Sequence, residues 1–200
     1  MMSEQNLKKE ILVKKFNNAK IISNKKYIEI QIDYLEIFNV IKQLKEDSSL
    51  KFDQLIDLTA IDYPSHNKRF HIVYLLLSMT LNQRILIKSS IGDGENIATI
   101  TSIHKAANWY ERECYDLFGI QFSNHPDLRR IMTDYNFEGH PLRKDFPLTG
   151  FTEVRYDDLE KKVVYEPVKL TQEYRNFDFM SPWEGLNNKL VGDEKSKDSD

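Results

Sequence analysis

Hydrophobic positions change period several times along the chain, and each change predicts an element. Tyr34, Ile37, Phe38, Ile41 and Leu44 recur at helical spacing and make one apolar stripe over three turns. Asp33 followed by Glu36 just ahead of them is a capping-box pattern, so a helix is expected there. Upstream, Glu4 to Phe16 has the makings of a short helix. Ala19–Ser23 and Tyr27–Ile32 read as two strands joined by a turn at Asn24–Lys26. Phe52–Ile61 reads as a strand. Phe70–Met79 is apolar on both alternating faces, the pattern of a central strand covered on both sides. After a turn at Leu81–Gln83, Arg84–Ile91 reads as another strand. A second helix is expected from Ser102, as N-cap, to Phe118. Its stripe is Ile103, Ala107, Tyr110, Cys114, Leu117 and Phe118, and Gly119 stands where a C-terminal cap is wanted. Glu111, Arg112, Glu113 and Asp116 fall on its other faces.

Beyond Gly119 helical periodicity stops, and five of the six prolines lie there. His125-Pro126 and His140-Pro141 each force extended backbone at the histidine. Arg155-Tyr156 and Val163–Tyr165 can pair as a small hairpin about Asp157-Asp158. The expected fold is α+β: a small mixed sheet flanked by helices, with a long extended C-terminal arm. Residues 1–130 would form the core, 131–185 a partner-docking arm, and 186–200 a disordered charged tail.

Composition narrows the chemistry. With 40% hydrophobic and 30% charged residues a real core is expected, and a net charge of -3 leaves no basic footprint for nucleic acid. The single cysteine, Cys114, rules out an internal disulfide framework and the ligand set of an ordinary iron–sulfur cluster. The longest strongly apolar run, Ile72–Leu77, is far short of the roughly 20 residues that span a bilayer. The N-terminus reads as neither a secretory signal nor an Arg-rich transit peptide. That fits synthesis in a bacterial cytosol or inside the organelle of use. Gly92-Asp93-Gly94 lacks the further glycine of a dinucleotide loop and is read as a turn.

Glu111, Glu113 and Asp116 form the one dense carboxylate group of definite geometry. They suit either an acid–base pair for hydrolysis or ion pairs, and the interleaved Arg112 favours the latter. None of the five histidines forms an i, i+4 pair; a zinc site assembled from distant parts stays open, while His125 and His140 suit turn anchoring. Six of the eight arginines lie between residues 112 and 175: Arg112, Arg129, Arg130, Arg143, Arg155 and Arg175. Only four lysines share that interval, and with Tyr135, Phe146, Tyr165, Phe177 and Trp183 the mix is that of a protein interface.

The run Glu111–Phe122 (ERECYDLFGIQF), continued by His125–Met132 (HPDLRRIM) and Gly139–Gly150 (GHPLRKDFPLTG), resembles the signature of the C-subunit family of NADH–quinone (ubiquinone) oxidoreductase, whose mitochondrial members are called NADH dehydrogenase subunit 9. A third block, Glu153–Tyr156 through Val164–Pro167 to Trp183, is similar to the mitochondrial and alphaproteobacterial branch. The resemblance implies a subunit of respiratory complex I without chemistry, flavin, cluster or quinone of its own. FMN and the iron–sulfur clusters would lie in partner subunits. Docking on the large quinone-cavity subunit and on cluster-bearing neighbours is implied, with the membrane touched only indirectly. The residues implied are Glu111, Arg112, Glu113, Asp116, Gly119, His125, Pro126, Arg129, Arg130, Arg143, Lys144, Asp145, Arg155 and Trp183. Lysine, asparagine and isoleucine enrichment suggests an AT-rich genome, as in many protist mitochondria and some intracellular bacteria. With the resemblance, the expected place is the matrix side of a mitochondrial inner membrane, the alternative being the cytoplasmic face of a bacterial one.

Overall fold

A computed structural model describes residues 12, 13, 15, 16, 19–23, 27–170 and 172. The expected helix at 4–16 and the turn at 24–26 lie largely outside them, as do the expected charged tail and Trp183. Contacts divide the chain into two units, Met1–Gly150 and Phe151–Asp200.

The first unit is built on a five-stranded mixed sheet. Its strands are β1 (Lys20–Ser23), β2 (Ile28–Gln31), β3 (Gln54–Asp62), β4 (Phe70–Ser78) and β5 (Gln83–Ile91), in the order β1-β2-β5-β4-β3. β2 runs parallel to β5 and every other pair is antiparallel. Alternation along the strands selects the buried face: Phe70, Ile72, Tyr74 and Leu76 of β4 meet Ile85, Ile87 and Ile91 of β5 in one core. Helix α1 (Ile37–Glu46) lays Ile37, Val40, Ile41 and Leu44 into that core at i, i+3, i+4, i+7 spacing. It starts later than its capping pattern implied. Asp33 instead forms a turn, accepting from the Leu35 amide through its side chain and the Glu36 amide through its carbonyl.

β4 is central, but its second face is only half covered. His71, Val73, Leu75 and Leu77 are half-buried, whereas Phe70, Ile72, Tyr74, Leu76 and Ser78 are buried. Apolar residues on both faces therefore did not mean cover on both faces among the described residues.

Helix α2 (Ala107–Phe118) crosses between two short parallel strands, β6 (Asn96–Ala98) and β7 (Gln121–Ser123). It begins five residues after Ser102, with Ala106 at the N-cap and no side-chain cap. Residues 100–107 make successive tight turns instead, through bonds from the Ile103 and His104 amides to Ile100 and from Ala107 to His104. The other end is as expected: Gly119 adopts φ +79° and its amide closes on Tyr115. Tyr110 donates to the carbonyl of Ile56, where β3 slips register against β4, so α2 is pinned to the bulge.

Residues 124–150 contain no helix or strand, yet they are held to the first unit by hydrogen bonds and ion pairs up to Asp145. The contact-defined boundary accordingly falls after Gly150 and not at 130. The second unit's described part is a hairpin of β8 (Thr152–Asp157) and β9 (Lys162–Pro167), paired Arg155 to Val164 as expected.

Candidate functional site

Helix α2 gathers most of the signature residues, and two of the carboxylates that fall off its apolar stripe are buried all the same. Glu111 and Asp116 are wholly buried. A helical stripe assigns charges to solvent only when one side of the helix is covered. Here the 99–101 and 125–133 segments cover α2 as well, and both carboxylates turn to backbone amides in those segments.

Asp116 is the better furnished. Its Oδ2 accepts from the amides of Ile131, Met132 and Thr133 at 3.0, 2.6 and 2.8 Å. Its Oδ1 accepts from Arg130 at 2.8 Å and from the Thr133 hydroxyl at 2.5 Å. Burial alone would raise its pKa, but these donors outweigh burial and hold it well below the usual carboxylate range. Arg130 also donates to the Gly139 carbonyl and lies over Phe137. Arg112 donates to the carbonyls of Arg129 and Arg130, while Arg129 itself pairs with the exposed Asp127. Glu113 is half-buried.

His125, extended ahead of Pro126, donates from Nε2 to the Asn108 carbonyl and accepts the Asp127 amide at Nδ1, so its ring ties the turn to α2. His140 donates from Nδ1 to the Asp116 carbonyl at 2.8 Å, and the Leu142 amide reaches the Leu117 carbonyl. Its ring fills the space above Gly119: a Cβ there would lie 2.7 Å from His140 Cδ2 and Nε2. That close approach, together with the positive φ, is why glycine stands at this position.

Arg143, Lys144 and Asp145 staple the same segment to the sheet through residues whose importance was not seen in the sequence. Asp62, at the end of β3, accepts from Nε and Nη2 of Arg69 at 2.7 and 2.8 Å and from the Lys144 amide at 2.7 Å. Arg69 reaches on to Asp145 at 3.0 Å and Arg143 pairs with Asp93. Both guanidinium groups lie over Phe70. The Arg69 fork holds the Asp62 carboxyl below its ordinary value against the opposing effect of burial, and the Lys144 amide adds to it. Asp62 and Arg69 lie 7 residues apart across a hairpin, so no helical or motif spacing marked them.

The contacts of these residues fasten segments of the first unit to one another. Asp116 is saturated with donors, and Glu111 is sealed from water, so the two cannot flank a cleft as an acid–base pair must. The hydrolase alternative fails on that ground. Cys114 is buried, its thiol facing the Leu58 carbonyl, with its ionisation pushed up by burial first and nearby carboxylates second. Among the described residues no three His, Cys, Asp or Glu side chains converge as a metal site would need.

The hairpin carries the remaining described signature residue. Opposed residues share a face, so Val154, Tyr156, Val163 and Tyr165 form one side and Glu153, Arg155, Asp157, Lys162, Val164 and Glu166 the other. All four residues of the apolar side are exposed. On the charged side Arg155 pairs with Glu166 at 2.9 Å and Asp157 at 3.4 Å.

Residues 30–152 match the family described as respiratory-chain NADH dehydrogenase, 30 Kd subunit. The NADH-quinone oxidoreductase C-subunit of Ruegeria sp. (strain TM1040) is 55% identical over 168 residues, 84% of each chain. The protein of that name from Ruegeria pomeroyi is 61% identical over 154 residues, 77% of each. That from Cereibacter sphaeroides is 55% identical over 171 residues, 84% of this chain and 86% of its own. Among solved structures, a chain of the membrane-bound sulfane sulfur reductase, described as an archaeal respiratory membrane complex, superposes with a TM-score of 0.63 at 25% identity. The match covers 74% of this chain and 87% of that one. The three sequence relatives are bacterial, so the mitochondrial setting expected from composition finds no support in them, and the bacterial alternative does.

Proposed function

The chain belongs to the respiratory-chain NADH dehydrogenase 30 kDa subunit family, the C-subunits of NADH-quinone oxidoreductase. From that premise we propose that it is a structural subunit of the peripheral arm of a proton-pumping NADH:quinone oxidoreductase, with no catalytic residue of its own. It sits at the cytoplasmic face of a bacterial inner membrane and reaches the membrane through its neighbours. No helix among the described residues is long and apolar enough to cross a bilayer. FMN and iron–sulfur clusters belong to the partner subunits; a single buried cysteine does not fit a cluster.

The observation that carries the reading is the apolar side of the β8–β9 hairpin. An isolated two-stranded hairpin is marginal in water, and one exposing two tyrosines and two valines on the same side calls for a covering surface. The large quinone-cavity subunit is the proposed cover. The charged side, with Arg155 already paired, stays in water.

Charge insertion in the full-length chain tests this. Val154→Glu and Val163→Glu should abolish co-purification with the quinone-cavity subunit, while Glu153→Gln on the other side should leave it intact. Undiminished co-purification of both apolar-side variants would overturn the docking role of the hairpin.

A further inference from the structure

Glu111 fastens the 99–101 segment to α2 through the Ile100 amide, and its surroundings are otherwise unusual for a carboxylate. It is wholly buried, and among the described residues the one group within ion-pairing range is His125, its Nε2 3.8 Å from Oε2. That imidazole is already committed. Its Nε2 donates to the Asn108 carbonyl and its Nδ1 accepts the Asp127 amide. The other groups facing Glu111 are Tyr74 from β4, fully buried with a hydroxyl that has no partner, and Cys114 from its own helix. No lysine or arginine among the described residues pairs with it.

Its two oxygens are held differently. Oε1 accepts the Ile100 amide at 2.8 Å. Oε2 lies 2.5 Å from the Thr99 hydroxyl, which lies in turn 3.0 Å from the hydroxyl of the half-buried Thr101. A hydroxyl has one proton to give. When Glu111 is ionised, Thr99 donates to it. When Glu111 carries a proton on Oε2, it donates to Thr99, and Thr99 is free to donate to Thr101.

We propose that Glu111, Thr99 and Thr101 form a buried proton-binding latch: a proton reaches Glu111 along the two threonine hydroxyls, and its arrival reverses both hydrogen bonds of that relay. Burial raises the Glu111 carboxyl from 4.5 to about 7, against the opposing bonds from Ile100 and Thr99, so the toggle falls in the neutral range. The inference stands on the first unit alone and does not depend on how the hairpin docks.

The sign of the effect follows from linkage. A carboxyl whose folded value lies above its unfolded one stabilises the fold fully below about pH 4.5 and loses that contribution as pH rises to about 7. Infrared spectra of the purified full-length chain, with glutamate carboxyls isotopically labelled, should show a protonated carboxylic acid at pH 5.5 that disappears by pH 8.5 and is missing from Glu111→Gln. The folding equilibrium constant of the wild type relative to Glu111→Gln should fall about tenfold per pH unit between pH 5 and 6.5, then level off. Thr99→Val removes a donor to the ionised form, so it should move the infrared midpoint to higher pH. This comparison serves even if Glu111→Gln folds poorly. A carboxyl already ionised at pH 5.5, or a midpoint indifferent to Thr99→Val, would overturn the latch.

Discussion

Asp116 concentrates more of the fold's specificity than any other described side chain: five donors from residues 130–133 converge on it. Asp116→Asn keeps the shape but leaves Arg130 without its anion. Breaking such a pair costs about 3 kcal/mol, toward the lower end of the buried range because Arg130 is 21% exposed. Urea denaturation at pH 7 should show that loss. The difference between wild type and variant should shrink below pH 4: a depressed carboxyl stabilises above its unfolded value of 3.8 and loses the effect as pH falls toward its folded value. Gly119 and Gly150 make a second contrast, since both have positive φ but only Gly119 faces a pinned ring. Gly150→Ala should cost about 1 kcal/mol for the left-handed backbone alone. Gly119→Ala should cost at least about 2 kcal/mol and speed amide exchange at Leu142 and Lys144. These residues stood in the sequence as a recognisable block with Arg130 among them, but the amide partners of Asp116 were not marked. Asp116 binds backbone amides 15 to 17 residues away, and no side-chain pattern encodes an amide.

Among the elements, those with a full period were legible and those shaped by tertiary contacts were not. The α1 stripe, the three long strands, the Gly119 stop and the hairpin about Asp157 all follow from alternation and turn chemistry. The start of α2 does not, because Glu111 takes the Ile100 amide and Lys45 takes the Ile103 carbonyl, turning the chain where a Ser102 cap would have continued it. The segment 131–150 lacks any period, and from sequence it joined the arm; its attachment is made by Asp116 on α2, by Asp62 at the end of β3 and by Arg69 just ahead of β4. Two truncations separate these descriptions. Ending the chain after Gly150 should leave the melting temperature of the first unit within a few degrees of the full chain. Ending it after Gly139 removes His140, Arg143, Lys144 and Asp145 and should lower it by roughly 8 °C, as expected for a loss of about 2 kcal/mol in a domain of this size. Equal melting of the two would mean the staples contribute nothing.

At the scale of the whole molecule, buried and saturated carboxylates, a thiol sealed in the core and an exposed amphipathic hairpin all favour fastening over chemistry. Family membership was legible because the signature is long and ordered, and so were the Gly119 cap, the turn-anchoring rings of His125 and His140 and ion pairing at Asp116, whereas the burial of Glu111 and Asp116 was not. Asp116, Arg130 and Arg143 fasten the chain to itself, and the exposed apolar side belongs to Val154, Tyr156, Val163 and Tyr165. The most direct measurement is NADH-to-quinone turnover per assembled complex, set beside the amount of complex, in cells carrying Asp116→Asn or Val154→Glu. A structural subunit predicts that the amount of complex falls severalfold while turnover per complex stays at the wild-type value. Normal amounts of complex with turnover abolished would contradict it and place this chain's own residues in the reaction.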